Sequence, residues 1–580
     1  MRTISRLCQT FLVMTLALGS LPGISFADDN DRTASACTPE TDKYRNGEIN
    51  AFVNEMEDAD YGWYVEWNCT GSSCSEYKYN EEDEPNVDTS DLHYHCGHGG
   101  KKQDDGCGGE RTAMIFSDDS YMLPSEARLN GYGIWGDTDL EWMAIKTCEL
   151  LDDEDESYVC WRDSMNGLHL LLSFETNSQS SSGGYFSRTF AQKLKDSATL
   201  TQAWFDATDA SQESGTVCRV IAEDTEQFED HLDGYGSVSN DHPHDSDWYC
   251  WDHEAGSPPY LVVDPPLTEM REYKVASRTV DYSYVGTIAS AFGLGSEPII
   301  DDGDRFLIAT GAPDYSQVEV DKSSGIYSYI CTSKLWDQTY ELSGPPYSPS
   351  LAYQAAEAFY TSNPFLYRVT QNAYEVMVDS VTKVVNGAIN WQQTAATAVV
   401  YTRAVFGDAG GQVPVSVAGP GARTKLYLDR NGTPMGARGN WRAVWWDGST
   451  MVPVADKLTA WNSFVVHGSN VTVSSIDVEY DSVSTDVGTA TQGYYELAAG
   501  TAQAKLIPVW IFKVDYYEDG DLVLDDAYTF VYMVTYSPSI PMLTRWGMIV
   551  LMLMLLAAGM AILVRGRGLV VEDRPRDARG

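Results

Sequence analysis

Positive charge is scarce in this sequence. Lysine and arginine together number 39 against 84 aspartate and glutamate residues, which leaves a formal net charge of −45 over 580 residues. A field of that sign repels phosphate backbones and argues against nucleic acid as a partner. A mostly disordered chain is excluded, because 43% of the residues are hydrophobic and 12% are aromatic. The length predicts more than one domain.

Cysteine is absent from everything that follows Cys331. The ten cysteines that follow the N-terminal apolar segment are Cys37, Cys69, Cys74, Cys96, Cys107, Cys148, Cys160, Cys218, Cys250 and Cys331. An even number in an exported chain predicts disulfides in the N-terminal half. Pairs that are close in sequence, such as Cys69 with Cys74 or Cys96 with Cys107, are candidates, and the sequence leaves the connectivity open.

The N-terminus has the pattern of a secretory signal. Arg2 and Arg6 precede an apolar run, and the small-residue exit Ser-Phe-Ala at 25–27 stands directly before two aspartates. This pattern predicts a cleaved signal peptide over residues 1–27. An uncleaved N-terminal anchor is the alternative.

The C-terminus carries a long uncharged apolar segment. Residues 547–564 reach ~27 Å as a helix, just long enough to span the hydrocarbon layer. Arg565 and Arg567 follow at once, so the positive-inside rule places the tail at 568–580 in the cytoplasm. The sequence therefore predicts an exported protein held at the membrane by one C-terminal helix.

A short motif stands before this segment: Ile540, Pro541, Met542 and Leu543, followed by Trp546. With the apolar span and the arginines, residues 540–567 resemble the Ile-Pro-Thr-Leu type of C-terminal sorting signal of Gram-negative envelope proteins, with Met542 in place of threonine. The resemblance implies a sorting peptidase of the envelope as a partner and the cell surface or extracellular space as the destination. A permanent inner-membrane anchor is the alternative.

Residues 28–266 alternate short apolar runs with helical patterns, which predicts an α/β domain with a mostly parallel sheet. The predicted strands lie at 92–100, 142–148 and 167–174, and the predicted helices at 47–57, 184–194 and 199–207. Prolines at 258–259 and 265–266 mark a boundary. Residues 267–539 read as a β-rich region of one or two domains, with a helix at 351–360. Between Asp515 and Gly520 a hairpin turn is favoured over a calcium loop.

Two predicted strands end in side chains that suit thiol catalysis. One runs into His98 and Gly99, and the other ends at Cys148. A thiol peptidase needs an imidazole to accept a proton, a cysteine to attack and backbone N–H groups to hold the oxyanion. Catalytic groups of open α/β sheets gather at the carboxyl ends of the strands. Lys146 stands two residues before Cys148, so a strand would place both side chains on one face.

This order and the spacing of 50 residues resemble the caspase, gingipain and clostripain superfamily of cysteine peptidases. Residues 91–207 resemble more closely an uncharacterised family of exported prokaryotic proteins of that fold. The motifs that carry this resemblance are the Gly-His-Gly turn, Asp-Leu-Glu-Trp at 139–142, Gly-Leu-His at 167–169 and Ala-Trp-Phe at 203–205, with weaker similarity at 230–236. The resemblance implies a caspase-like fold, His98 as the base and Cys148 as the nucleophile. It also implies Gly99 and the Cys148 amide as the oxyanion donors.

The expected function is that of a cysteine endopeptidase or transpeptidase acting on a peptide or protein, with no metal and no cofactor. A Cys148–Cys160 disulfide would remove the nucleophile and leave a non-catalytic surface protein for binding or structure. A metal-dependent hydrolase using His93, His95 and His98 is a third reading. A second histidine-rich stretch at 241–253 is interpreted as a solvated loop.

Overall fold

The computed structural model describes residues 32–533, apart from short gaps. The gaps are 81–86, 118–119, 130–131, 137–138, 182, 214, 241–246, 257–259, 277–278, 312–314, 338–346, 367–371, 387, 440–441, 474, 477, 479, 499–500, 502 and 519. The predicted signal peptide, sorting signal, membrane span and tail lie outside these residues. None of the helices in the described ranges has the length and hydropathy of a membrane span.

The helices, in chain order, are α1 (Lys43–Glu57), α2 (Tyr77–Asn80), α3 (Ser157–Arg162), α4 (Tyr185–Lys195), α5 (Leu200–Ser211), α6 (Tyr282–Ala291), α7 (Pro349–Ser362) and α8 (Lys457–His467). The first strands are β1 (Thr33–Thr38), β2 (Tyr64–Thr70), β3 (Leu92–Cys96), β4 (His98–Asp104), β5 (Gly109–Ile115), β6 (Tyr121–Met122), β7 (Arg128–Leu129), β8 (Tyr132–Gly133), β9 (Trp142–Lys146), β10 (Leu170–Phe174), β11 (Gln179–Ser180), β12 (Val217–Ala222) and β13 (Asp247–Glu254).

The later strands are β14 (Glu269–Arg271), β15 (Lys274–Val275), β16 (Ile300–Asp302), β17 (Arg305–Ala309), β18 (Ser316–Asp321), β19 (Tyr327–Cys331), β20 (Asn372–Val385), β21 (Ala388–Phe406), β22 (Pro414–Ala418), β23 (Arg423–Leu428), β24 (Pro434–Gly439), β25 (Val444–Trp445), β26 (Met451–Pro453), β27 (Ser475–Ile476), β28 (Ser482–Ser484), β29 (Thr491–Tyr495), β30 (Ile507–Glu518) and β31 (Asp521–Tyr532).

Five neighbouring strands of the large sheet run parallel, in the order β2-β1-β3-β9-β10. The three strands β3, β9 and β10 are buried along their whole length, as strands covered on both faces must be. Each overlaps a strand predicted from its apolar run. The predicted glycine turn at 97–100 is wrong, because His98 begins strand β4, which pairs with β5 in a hairpin.

Helices α1, α4 and α5 cover one face of these strands. The predicted apolar face of α1 is buried, and its Phe52 stacks on Tyr94 of β3 with ring centroids 4.7 Å apart. Trp204 of α5 packs edge-on against Phe190 of α4 at 5.2 Å. Helix α1 begins at Asp42, whose carboxylate accepts hydrogen bonds from two backbone N–H groups of the first turn.

The opposite face is covered by loops and short elements, and several of the cysteines lie on this side of the sheet. Cys107 and Cys160 are at disulfide distance, with Cα atoms 6.2 Å apart, so the hairpin turn between β4 and β5 is tied to α3. Cys37 lies at bonding distance from both Cys69 and Cys74. The candidate pair Cys96–Cys107 is wrong, because Cys96 lies on β3 with its sulfur 3.6 Å from Ser180 Oγ.

The sheet is mixed rather than mostly parallel. Strand β12 pairs antiparallel with β10, β13 pairs antiparallel with β12, and β13 pairs antiparallel with β20. The expected α/β class is confirmed, but among the described strands the parallel ladders are those of β2-β1-β3-β9-β10 and the pair β22–β29, and the other ladders are antiparallel. The β13–β20 ladder joins residues 247–252 to 380–385, so the regions on either side of the predicted boundary share one sheet.

The region after the boundary is built from antiparallel strands, as its valine- and threonine-rich runs predict. The two longest hairpins are β20–β21 and β30–β31. Glu518 pairs with Asp521, and Gly520 takes a positive φ of 93° in the turn between them. The predicted hairpin turn between Asp515 and Gly520 is therefore confirmed.

Buried charges join the two regions. Asp209 of α5 accepts hydrogen bonds from Lys425 Nζ and Tyr427 Oη, both at 2.8 Å. His253 of β13 lies beside the same carboxylate, and its Nδ1–H donates to Asp379 Oδ2 at 2.7 Å. Burial raises the pKa of Asp209, but Lys425 and His253 together outweigh it and lower that pKa overall. The interface is thus closed by paired charges as well as by apolar packing.

Candidate active site

The carboxyl ends of β3 and β9 lie side by side. Cys96 is the register partner of Lys146, and the N–H of Gly97 donates to the carbonyl oxygen of Lys146 at 3.2 Å. His98 follows the first strand by two residues and Cys148 follows the second by two. The parallel pairing therefore brings the chain segments that carry His98 and Cys148 to one edge of the sheet, as the sequence predicted.

Gly99 fits against Cys148 so closely that no other residue can replace it. A Cβ built on Gly99 would collide with the carbonyl oxygen of Cys148. Glycine permits this approach because it has no side chain. The backbone at position 99 therefore lies directly against the backbone carbonyl of Cys148, the predicted nucleophile.

The sulfur of Cys148 is almost completely enclosed, with the residue 2% exposed. Its thiol donates to the carbonyl oxygen of Ser178 at 3.5 Å and accepts from the Ser178 N–H at 3.3 Å. The alternative of a Cys148–Cys160 disulfide is wrong, because Cys160 is the partner of Cys107. The side chain at this position is therefore a thiol.

The imidazole of His98 contacts charged residues at the start of α1. Its Nδ1 lies 3.1 Å from Arg45 Nη2, and its Nε2 lies 3.8 Å from Glu40 Oε1. Because a guanidinium can only donate, Nδ1 accepts this bond and the proton of the neutral ring sits on Nε2. Arg45 is itself paired with Asp42, the residue that caps α1. The start of the first helix thus orients the predicted base.

Lys146 is held on the helix-covered face of the sheet. Its Nζ donates to the carbonyl oxygen of Gln179 and to Ser180 Oγ, both at 2.8 Å. It also lies 5.7 Å above the ring of Phe186. This ammonium fixes the loop that follows β10, which continues from Ser178 beside Cys148 into strand β11.

The other histidines of the motif belong to the core. The hydroxyl of Tyr79 lies 3.0 Å from His93 Nε2 and 2.6 Å from His95 Nδ1. Burial lowers the pKa of both rings, that of His95 to about 3, so both are neutral. Among the described residues, the group with metal-ligand geometry is Cys37, Cys69 and Cys74, and it includes no histidine. The described residues therefore do not support a metal site formed by His93, His95 and His98.

The second histidine cluster is only partly described. His253 was expected in a solvated loop, but it is buried on β13 between Asp209 and Asp379. The strand places every second side chain inward, and two carboxylates satisfy the inward imidazole. Residues 241–246 lie outside the described residues.

Four further motif residues meet at the opposite end of the strands. His169 Nδ1 lies 2.6 Å from Asp230 Oδ2, and its Nε2 lies 2.9 Å from Glu141 Oε2. The indole N–H of Trp142 donates to the same Asp230 oxygen at 3.1 Å. These residues stand at the amino ends of β9 and β10. Their motif therefore has a structural role, closing the sheet at the end away from Cys148.

Residues 30–253 match DUF6345, a domain of unknown function. The match covers the five parallel strands, helices α1 to α5 and both His98 and Cys148. It ends within β13, the strand that joins this DUF6345 region to the rest of the sheet. A search of curated proteins finds no match for the chain.

The sequence did not reveal that a distant segment covers the site. Cys148 belongs to one apolar cluster with Val478, Phe512 and Tyr516. All three lie more than 300 residues further along the chain, and Val478 is 1% exposed. The segment around 475–478 is too short and too mixed in polarity to show a periodic pattern, so the sequence offered no signal for this contact.

Proposed function

We propose that the DUF6345 region is a cysteine peptidase or transpeptidase domain with His98 as base and Cys148 as nucleophile. The observation that carries the proposal is the parallel pairing of β3 with β9, which delivers both residues to one sheet edge with Gly99 against Cys148. Side chains at the carboxyl ends of neighbouring parallel strands are the usual catalytic positions of open α/β sheets. A caspase-like fold is part of this proposal.

In the proposed reaction, the proton of the Cys148 thiol passes to His98, and the sulfur attacks the carbonyl carbon of a peptide bond. The N–H groups of Gly99 and Cys148 would hold the oxyanion that forms. When the C–N bond breaks, His98 returns the proton to the leaving amine and a thioester remains on the sulfur. Water or a second amine then attacks the thioester, which gives hydrolysis or transpeptidation.

For this chemistry, one nitrogen of His98 has to be unprotonated and free to accept the proton of the thiol. Arg45 occupies Nδ1 as a donor in the present arrangement. A rotation of the ring that releases Arg45 to Asp42 would free that nitrogen, since Arg45 Nη1 already donates to Asp42 at 2.9 Å. Catalytic hydrogen bonds commonly tighten only once substrate is bound.

We place the activity at the cell envelope, on the strength of the N-terminal signal pattern and the C-terminal segment at 540–567. The membrane would hold the protein through the C-terminal helix, and a sorting peptidase of the envelope would process it. The expected substrate is a peptide or protein outside the inner membrane. The Cys107–Cys160 pair fits such a location, because disulfides persist in oxidising compartments.

The test is hydrolysis of a fluorogenic peptide library by the full chain. The chain carrying Val478→Arg is assayed in parallel, because Val478 packs in the same apolar cluster as Cys148 and its replacement should expose the thiol. Cys148→Ala and His98→Gln should each lower the rate by at least about 10³-fold. Cys331→Ala is the matched control, because it removes a buried thiol far along the chain from the site. Cleavage that persists in Cys148→Ala would refute the dyad.

The alternative function is a non-catalytic binding or structural protein on the same fold. The enclosure of Cys148, which is 2% exposed, favours it. Under this alternative no peptide is cleaved in either background, and Cys148→Ala changes the melting temperature only. The same library assay therefore distinguishes the two functions.

A further inference from the structure

Backbone from the C-terminal region pairs with both sides of the candidate site. Strand β27 (Ser475–Ile476) pairs antiparallel with β11 (Gln179–Ser180). Two residues further on, Val478 forms a parallel bridge with Gly99. The segment thus runs from the loop after β10 to the start of β4.

Cys148 lies between these two pairing partners. Its sulfur is hydrogen-bonded to Ser178, the residue next to β11, and its carbonyl oxygen abuts Gly99. Val478 packs in the same apolar cluster as Cys148. Ile476 and Val478 therefore lie at the same sheet edge as Cys148.

An open strand edge binds extended peptides through its unpaired N–H and C=O groups. The edge formed by β11 and Gly99 offers such groups on both sides of a thiol, which is what a peptide needs to present its carbonyl carbon to that thiol. We infer that this edge is a binding groove for an extended peptide, and that Ser475, Ile476 and Val478 of the same chain occupy it as an internal ligand. The inference rests on the proposed function, because it identifies the groove as the substrate site.

The contacts of Val478 indicate which peptides the groove accepts. Its side chain is 1% exposed among apolar neighbours that include Tyr516, whose ring packs edge-on against Tyr480 at 4.7 Å. A competing peptide must therefore present an apolar side chain at this position. A charged side chain there would lose its hydration without gaining a partner among these apolar neighbours.

Outside the groove, the C-terminal region also contacts β4 through an ion pair that water can screen. Lys102 of β4 donates to Glu518 of β30 at 2.9 Å, and both side chains are about one quarter exposed. Exposed pairs of this kind contribute little to stability. The backbone pairing and the burial of Val478 are therefore the principal contacts that hold the segment in the groove.

The experiment measures how fast iodoacetamide alkylates Cys148 in the full folded chain, with the modified cysteine identified by peptide mass mapping. Val478→Arg should accelerate alkylation of Cys148 about tenfold or more, because it removes the burial of an apolar side chain that holds the segment. Val466→Arg is the matched control, since Val466 is an exposed valine, 71% exposed, on α8. An unchanged rate in Val478→Arg would overturn the inference.

A synthetic peptide with the sequence of residues 473–480, added to the Val478→Arg chain, should slow the alkylation of Cys148 again. A scrambled peptide of the same composition should have no effect. Equal protection by both peptides would overturn the assignment of a sequence-selective groove. The milder variant Val478→Ala is a second test, and its melting temperature shows whether the chain remains folded. Alkylation of Cys148 should be faster in this folded variant as well. Faster alkylation only in samples that have unfolded would overturn the inference.

This experiment separates the inference from the proposed function. Faster alkylation in Val478→Arg with no peptide cleavage would support the occupied groove and refute the peptidase. Peptide cleavage by the wild-type chain that depends on Cys148 and does not increase in Val478→Arg would support the peptidase and refute the internal ligand.

Discussion

The parallel and antiparallel parts of the large sheet bury their strands in different ways. In the DUF6345 region, β3, β9 and β10 are buried at every position. In the later region, β18 and β19 alternate buried and half-buried side chains. Parallel strands joined by helical crossovers are covered on both faces, whereas antiparallel hairpins can leave one face to solvent. The candidate site lies at the end of the fully covered strands, where positions are most rigidly defined.

If this comparison holds, loss of a large side chain should be most costly in the DUF6345 region. Trp204 is fully buried between Phe174, Phe186 and Phe190, and Trp204→Ala should lower the free energy of unfolding by about 3–5 kcal/mol. Trp445→Ala is the matched control, because that indole is 48% exposed, and it should cost less than about 1 kcal/mol. Urea unfolding of both variants checks the difference; equal losses would contradict it.

The charged contact between the two regions can be broken from one side. Lys425→Met leaves the Asp209 carboxylate buried without its ammonium, and it should cost about 3–5 kcal/mol of unfolding free energy. Lys322→Met removes the exposed partner of Asp301 and should cost about 1 kcal/mol or less. The measurement is again urea unfolding. A loss for Lys425→Met no larger than for Lys322→Met would show that the buried contact does not hold the regions together.

Each region has a helix that begins at an aspartate cap. Asp42 accepts from two N–H groups of α1, and Asp456 accepts from the Thr459 N–H of α8. Replacement of either by alanine should cost about 1 kcal/mol in melting experiments. Asp42→Ala should in addition change the alkylation rate of Cys148, because Asp42 holds the Arg45 that contacts His98. The rate in Asp456→Ala should equal that of the wild type; an equal change in both variants would exclude a specific effect through Arg45.

The smallest expected effect is a dependence of stability on pH. Burial raises the pKa of Asp91 and that of Glu213 to about 7. Burial lowers the pKa of His253, but the Asp379 and Asp209 carboxylates together outweigh it and raise that pKa overall. The neutral His93 and His95 act in the opposite direction below about pH 6.5, where the histidines of the unfolded chain bind protons. Above about pH 7 the folded state therefore binds more protons than the unfolded state, so the free energy of unfolding falls as the pH rises from about 7 to 8.

Melting temperatures at about pH 7 and about pH 8 measure this effect, and the lower pH should give the higher value. Asp91→Asn should flatten the dependence, because the amide does not titrate. A melting temperature that rises with pH over this range would contradict the sign derived from these three groups.

The sequence predicted the parallel strands well, for a physical reason. A strand covered on both faces is a short uninterrupted apolar run, such as the run that became β9, and its register partner β3 is marked by the following His98 and Gly99. The spacing between His98 and Cys148 then placed both at one edge. Helices α1, α4 and α5 were found from their apolar faces, with ends that differed by a few residues.

Long-range contacts were the part that the sequence could not supply. Nothing in residues 247–252 shows that their partner is β20, more than 120 residues later, because an antiparallel partner is chosen by tertiary packing. The cover over Cys148 by Val478 has the same origin. The prediction of a solvated loop at His253 was wrong for a related reason. Its two carboxylate partners, Asp209 and Asp379, are far away in sequence, so the local pattern of polar residues indicated a loop.

The ladder between β13 and β20 determines where this chain can be divided. A fragment that ended just after the DUF6345 match would keep β13 but lose the strand that pairs with residues 247–252. Its N–H and C=O groups would then form an open edge beside a row of aromatic side chains, a template on which other fragments could add strands. Such a fragment should therefore self-associate more readily than a chain that retains β20.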